Sequence, residues 1–326
     1  MNMKKVKTSS KKPKKIGVEK KKKVVKPVQQ HKELSKKNKN VLKNTDNKNN
    51  KKITKSNVKK ISKTTKDIKK SSGKSSSKSG SKITRNVVCI KWGTKFDAEY
   101  VNRLYDMVER NLTLPHRFVC FTDDGKGLKK GIEVFPLPPI KFKPGPERGW
   151  RKLSVFNKPL ADLKGQALCL DVDVVIINNI DYLFEEKGDF RIIKDWGYPK
   201  DSYVGNSGCY RFNIGEHPDV VEYFEKNFDK IREKFRNEEE YLSWKMKEKG
   251  ILQYWKPKTA ISFKHGCMSA FPFNLFKKPK QPTDETKILI FHGNPLPREA
   301  INGYYKLGRP QRICRKTNWL KKFWQE

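Results

Sequence analysis

The chain has 326 residues, with 74 Lys/Arg against 35 Asp/Glu and a net charge of +39. Residues 1–85 hold 31 Lys/Arg and four acids, +27 of that total, while every Trp, Phe and Tyr lies beyond them. That stretch cannot bury enough apolar surface to offset the entropy of ordering, which excludes a folded N-terminal domain: residues 1–83 are expected to be a disordered polybasic tail with a Ser/Gly/Lys-rich linker over 71–82, and residues 84–326 one globular domain.

No apolar run approaches the ~20 residues that span a bilayer, and the N-terminus lacks the apolar core of a signal peptide. Neither secretion nor a membrane anchor is expected, and the expected location is cytoplasmic. The tail offers contact with polyanions, as a nuclear address or on an anionic membrane surface, although it has no stacking aromatics and few arginines. The six cysteines are scattered without a CxxC spacing, so they read as buried free thiols rather than zinc ligands.

In chain order, residues 86–92 (NVVCIKW) predict a first strand, closed by a turn at Gly93–Thr94. Tyr100, Val101, Leu104, Tyr105 and Val108 recur with helical period over 97–111. A second strand follows at 116–122 and a short third at 131–135. Residues 136–146 are rich in proline and read as a lid or a surface loop. Residues 150–163 predict a helix broken near Pro159, leading into the apolar, β-branched run 167–178 (ALCLDVDVVIIN). A further strand is expected at 206–213 (NSGCYRFN), helices at 220–235 and 238–249, and a last strand at 287–292 (KILIFH). Strands alternating with helices predict an α/β domain with a mostly parallel central sheet.

Chemistry concentrates in the run 167–178. Asp171 and Asp173 are two residues apart, and an extended backbone projects such side chains from one side. Two carboxylates held together repel each other unless a proton or cation compensates them, and a hard divalent metal with oxygen ligands does so. A metal held there can in turn hold a pyrophosphate, at the carboxyl end of a buried strand where open α/β sheets bind ligands. Phosphatases of the haloacid dehalogenase kind also place Asp-x-Asp after an apolar strand, but on the first strand of the domain; here two or three strands precede it.

Residues 150–186 (WRKLSVFNKPLADLKGQALCLDVDVVIINNIDYLFEE) resemble the core of glycogenin-like, family 8-related nucleotide-sugar glycosyltransferases of the GT-A fold. The pieces VCIKWGTKFDAEYVNRL, HRFVCFTDD, NSGCYRFN and IFHGNPLP resemble that family's opening strand–helix–strand unit, Asn-Ser-Gly strand and C-terminal histidine turn. The resemblance implies a Rossmann-like GT-A domain that moves a sugar from a nucleotide-sugar donor, a UDP-sugar, to an acceptor hydroxyl, with retention of anomeric configuration. It implies that Asp171, Asp173 and His292 hold Mn2+ (or Mg2+), that Lys152 contacts the donor, and that Asn206, Ser207 and Gly208 line the sugar pocket. Gly93, Thr94 and Tyr100 fall where the family holds uracil and ribose. The acceptor, whether glycan, protein or lipid, carries no motif.

Two departures stand out. Glu238-Glu239 occupies the place of an Asp-Gln pair, and Leu296 that of a lysine gripping the pyrophosphate, with Arg298 a substitute two residues on. The alternative is a catalytically decayed relative that binds nucleic acid or an anionic surface through its tail.

Overall fold

A computed structural model describes residues 84–325; the tail and linker expected over 1–83 lie outside the described residues. Among the described residues there are ten strands: β1 (Arg85–Lys91), β2 (Arg117–Thr122), β3 (Glu133–Phe135), β4 (Gln166–Leu170), β5 (Val175–Ile176), β6 (Phe190–Lys194), β7 (Gly205–Asn213), β8 (Leu252–Tyr254), β9 (Ala260–Ser262) and β10 (Ile288–Ile290). The six α-helices are α1 (Ala98–Asn111), α2 (Tyr182–Glu185), α3 (Asp219–Lys226), α4 (Phe228–Lys234), α5 (Glu238–Glu248) and α6 (Pro297–Asn302).

Seven strands form one sheet in the order β3-β2-β1-β4-β7-β6-β8, and β5, β10 and β9 form a second, small one. The first four strands are mutually parallel, as are β6 and β8, while β7 runs antiparallel to both of its neighbours. The mostly parallel α/β architecture expected from the sequence is therefore present.

Both faces of the central strands are buried, so period-two alternation sends successive apolar residues into two different cores. Val87, Cys89, Phe118, Cys120, Leu168 and Leu170 face α1 and the small sheet. Val88, Val119, Phe121, Ala167 and Cys169 face α3, α4, α5 and the turn that begins at Trp150. α1 buries Tyr100, Val101, Leu104, Met107 and Val108, the stripe its 3.6-residue period predicts except that Met107 is buried and Tyr105 only partly so. All six cysteines are free and buried.

The predicted elements differ from the structure in definite places. The helix expected over 150–163 is a 3-10 helix, Trp150–Phe156, that stops before Pro159, whose ring and missing N–H end regular helix. The helix expected over 220–235 divides at Asn227 into α3 and α4. The run 167–178 is two strands in two sheets: β4 ends at Leu170, and the acid pair occupies the turn before β5. Residues 136–146 form a mostly exposed loop without helix or strand, anchored where Phe142 packs against Phe224 and Phe228 and the Lys141 N–H donates to Glu225 at 2.7 Å. No helix of the described residues is long and apolar enough to cross a membrane.

Arg211 in β7 is 1% exposed, and its guanidinium donates to the carbonyls of Leu183 (2.8 Å) and Gly188 (2.9 Å). It joins the sheet to α2 and to the segment that follows it. Arg211→Met leaves both carbonyls unpaired while relieving the cost of a buried charge, so chemical denaturation should show a loss of roughly 2–4 kcal/mol.

A candidate active site at the carboxyl edge of the sheet

Parallel β1 and β4 end side by side, with Val88 in register with Cys169, so Asp171 emerges beside the end of β1. Because β7 is antiparallel, its beginning stands at that same edge: Leu170 pairs with Cys209, and the Asp171 N–H donates to the Gly208 carbonyl at 3.1 Å. One reversed strand thus brings Asn206, Ser207 and Gly208 to the acid pair. A side chain on Gly208 would meet the Asn206 amide at 2.9 Å and Ile290 at 3.2 Å, so close packing between β7 and β10 requires glycine there.

The 3-10 helix Trp150–Phe156 supplies Lys152. Its Nζ lies 2.6 and 2.8 Å from the two Asp171 oxygens, 3.1 Å from Ser207 Oγ and 3.4 Å from Glu238 Oε1. Burial pulls the ammonium toward its neutral form, but Asp171, Glu238 and Glu239 outweigh it and hold Lys152 above its ordinary value. Asp173 is 7% exposed, and its carboxyl is pushed up to about 7, by burial first and by Asp171 second, with Lys152 and Lys95 opposing.

The amino terminus of α5 forms the opposite wall. Asn237 caps it by accepting from the Glu240 N–H, which directs Glu238 and Glu239 toward β7. Ser207 Oγ donates to Glu238 at 2.6 Å, and Glu239 Oε1 accepts from the Ser207 N–H (3.0 Å) and the Asn206 amide (2.8 Å). Burial and then Glu238 push the Glu239 carboxyl up to about 8. Gly149, at φ +80°, lets the chain pass Glu238 where a Cβ would stand 2.2 Å from its carboxylate. Asp171, Asp173, Lys152, Gly149, Asn237, Glu238 and Glu239, with Ile90, Trp92, Lys95, Phe96 and Arg148, line a cleft of about 610 Å³.

Of the expected site residues, the structure brings together Asp171, Asp173, Lys152, Asn206, Ser207 and Gly208. Gly93 and Thr94 are exposed in the turn after β1, where the Gly93 N–H donates to Asp123 at 2.9 Å, and the cleft is lined instead by Trp92, Lys95 and Phe96. Tyr100 is 4% exposed and packs against Phe96 and Trp324. His292 ends the small sheet with Nε2 2.6 Å from Ser262 Oγ, its ring stacked on His265 and Trp196. Burial first, then Lys264, lowers its imidazole to about 4, so it is neutral at physiological pH. Among the described residues no three His, Cys, Asp or Glu side chains are gathered as a metal cluster. Arg298 does not reach the cleft lining; it pairs with Asp97 at 2.9 Å and with Glu99.

Sequence reasoning assigned no role to Lys95, Trp92 and Arg148, and treated Glu238-Glu239 as a departure rather than as a wall of the site. Asn237 followed by three glutamates and an apolar run is a helix-start signal that could have placed them.

No protein-family model matches the chain, and no curated protein matches it. Three solved structures are similar to it in outline. An active-site mutant of LgtC has 14% identity and TM-score 0.47 over 65% of this chain and 89% of that one. The galactosyltransferase LgtC in complex with donor and acceptor sugar analogues has 14% identity and TM-score 0.44 over 65% and 88%. The glycosyltransferase GlyE of Streptococcus pneumoniae TIGR4 has 12% identity and TM-score 0.47 over 66% and 56%.

Glu239 yields a signed prediction. Its folded value of about 8 exceeds the unfolded 4.5, so the folded state holds a proton that the unfolded state has released. Stability from this group is full below about pH 4.5 and is lost as pH rises through 8. In Glu239→Gln the amide oxygen still accepts from Asn206 and Ser207 without that loss. Thermal melts should show the variant close to wild type below about pH 4.5, progressively more stable than wild type as pH rises from there to about 8, and a constant margin above that; parallel curves would refute the assignment.

Proposed function

We propose that the chain is a metal-dependent glycosyltransferase that moves a sugar from a UDP-sugar to an acceptor hydroxyl with retention. The supporting observation is the paired acids Asp171 and Asp173 in a cleft at the carboxyl edge of the parallel strands, with Lys152 in contact with one of them and Asp173 left buried. Two oxygen donors with more negative charge than nearby cations balance fit a hard divalent ion. Bound there by Asp171 and Asp173, Mn2+ or Mg2+ supplies Lewis-acid compensation for charge on a departing diphosphate. His292 is the proposed third ligand, its neutral imidazole being of the right chemical type.

The chain's own residues then divide the work. Lys152 places a fixed positive charge beside the leaving phosphates, in a site where burial strengthens the interaction. Asn206 and Ser207 hold Glu239 and Glu238 in place behind the proposed sugar pocket. Trp92 and Phe96 present aromatic surface to the nucleotide base, beside the Gly93–Thr94 turn. Glu239 keeps its proton at neutral pH while its oxygens accept from Asn206 and Ser207, which counts against it as the base of an inverting reaction. That favours retention, with a departing phosphate oxygen accepting the acceptor's proton.

The test is turnover and binding of UDP-, GDP- and CMP-sugars by the full chain, with and without Mn2+. One donor should be turned over only with metal. Lys152→Gln should lower kcat by about 10²-fold or more, the scale of a lost electrostatic stabiliser. Asp173→Ala should abolish both turnover and Mn2+ binding followed by electron paramagnetic resonance. Absence of donor binding under every metal overturns the reading. In the same assay His292→Ala should weaken Mn2+ binding by about 10-fold or more; unchanged affinity makes His292 a structural partner of Ser262.

A further inference from the structure

Seven large hydrophobic side chains are exposed among the described residues, and five of them sit on two loops near the C-terminus: Phe271 (54%), Phe273 (58%), Phe276 (78%), Tyr305 (71%) and Leu307 (85%). The two loops adjoin. Asn274, 2% exposed between Phe273 and Phe276, donates to the carbonyls of Pro310 (2.8 Å) and Ile313 (2.9 Å). Tyr305 and Leu307 lie in the connection closed by the Tyr304–Cys314 bridge, where each N–H donates to the other's carbonyl at 2.8 Å. The Trp319 indole donates to Pro279 at 2.9 Å and holds the other end of the first loop. These side chains are therefore presented by a fixed framework.

Charge on the two loops is one-sided. Residues 264–280 and 303–316 contain nine Lys/Arg and no Asp or Glu. Lys277 Nζ lies 4.9 Å over the Phe273 ring, so apolar and cationic groups interleave. Apolar tips ringed by lysine and arginine match the boundary of an anionic bilayer, where aromatic and aliphatic groups enter the headgroup layer and cations meet phosphate. Single-stranded nucleic acid binds along a groove in which aromatic rings stack with bases. Leu307, the most exposed of the five, has no π-face to stack.

We propose that these two loops dock the domain on an anionic lipid surface. The contact is peripheral, and the polybasic residues 1–83 add a second, purely Coulombic attraction. Such pairing of a weak apolar anchor with a basic segment is what stable reversible attachment needs. The proposal stands whether or not the cleft transfers sugar.

The experiment is sedimentation of the full chain with vesicles of phosphatidylcholine alone or mixed with phosphatidylglycerol, at low and high salt. High salt screens the tail. Binding should require phosphatidylglycerol, and a residual fraction should persist in high salt. The triple variant Phe273→Ser, Phe276→Ser, Leu307→Ser should lose that fraction by about tenfold or more, since three apolar groups no longer leave water. Because the native cysteines are all buried, Leu307→Cys can be labelled selectively with an environment-sensitive fluorophore. Its emission should shift to the blue on phosphatidylglycerol vesicles. Equal sedimentation of the triple variant, or an unshifted label on protein that sediments, overturns the proposal. So does tight, salt-resistant binding of single-stranded RNA that the triple variant loses while vesicle binding is unchanged.

Discussion

Lys152 stands among more negative charge than it can neutralise, and the geometry of the cleft follows from that imbalance. It contacts Asp171 and Glu238 directly, and Glu239 and Asp173 lie within reach of its field. Each partner comes from a different part of the chain: a 3-10 turn, the end of β4, the start of β7 through Ser207, and the first turn of α5. Removing the charge of Lys152 leaves Asp171 and Glu238 without compensation, which is costly in a poorly solvated site. The elements are thus held at a common edge by mutual electrostatic need as well as by apolar packing beneath them.

The reversed strand makes this convergence possible. Had β7 run parallel to β4, its Asn-Ser-Gly segment would lie at the far edge of the sheet, a strand's length from Asp171. Reversal also lets β7 offer its Gly208 carbonyl to the Asp171 N–H, fixing the backbone as β4 ends. The small sheet then receives the chain: β5 pairs antiparallel with β10, so the turn holding the acids is bounded by a sheet at each side. A short turn between two anchored strands leaves the acid pair little freedom, which is the preorganisation that charge stabilisation requires.

How much of this the amino acids declare depends on the kind of pattern involved. β1, α1, β2 and the β4–acid block were legible because burial on both faces or on one stripe leaves a strong period. The direction of β7 was not, since alternation in NSGCYRFN is identical for parallel and antiparallel pairing. β8 and β9 span three residues each and show no period at all. Lys152 could be placed only through resemblance, because a basic residue beside Trp150 reads equally well as solvated. Tyr100 fits its helical stripe and is in fact core. His292 lies two residues past the end of β10 rather than at the end of the predicted strand, and its partners Ser262, His265 and Trp196 are distant in sequence and carry no spacing signal. Glu238 and Glu239 look like ordinary first-turn acids; only the approach of Gly149 and Ser207 makes them walls of the cleft.

The distribution of charge within the cleft bears on what it can hold. Its exposed parts include Lys95 and Arg148, whereas Asp173 and Glu238 are buried. A simple anion would meet the outer cations but be repelled below, and a simple cation would meet the reverse. A ligand that carries both signs, a diphosphate with its own divalent ion, satisfies both layers at once. On the proposed reading, the outer cations would attract the net charge of such a ligand and the buried carboxylates would hold its metal ion. This layering also disfavours nucleic acid in the cleft, because a polymeric phosphate backbone brings only diffuse, exchangeable counterions to a floor that needs a localised one.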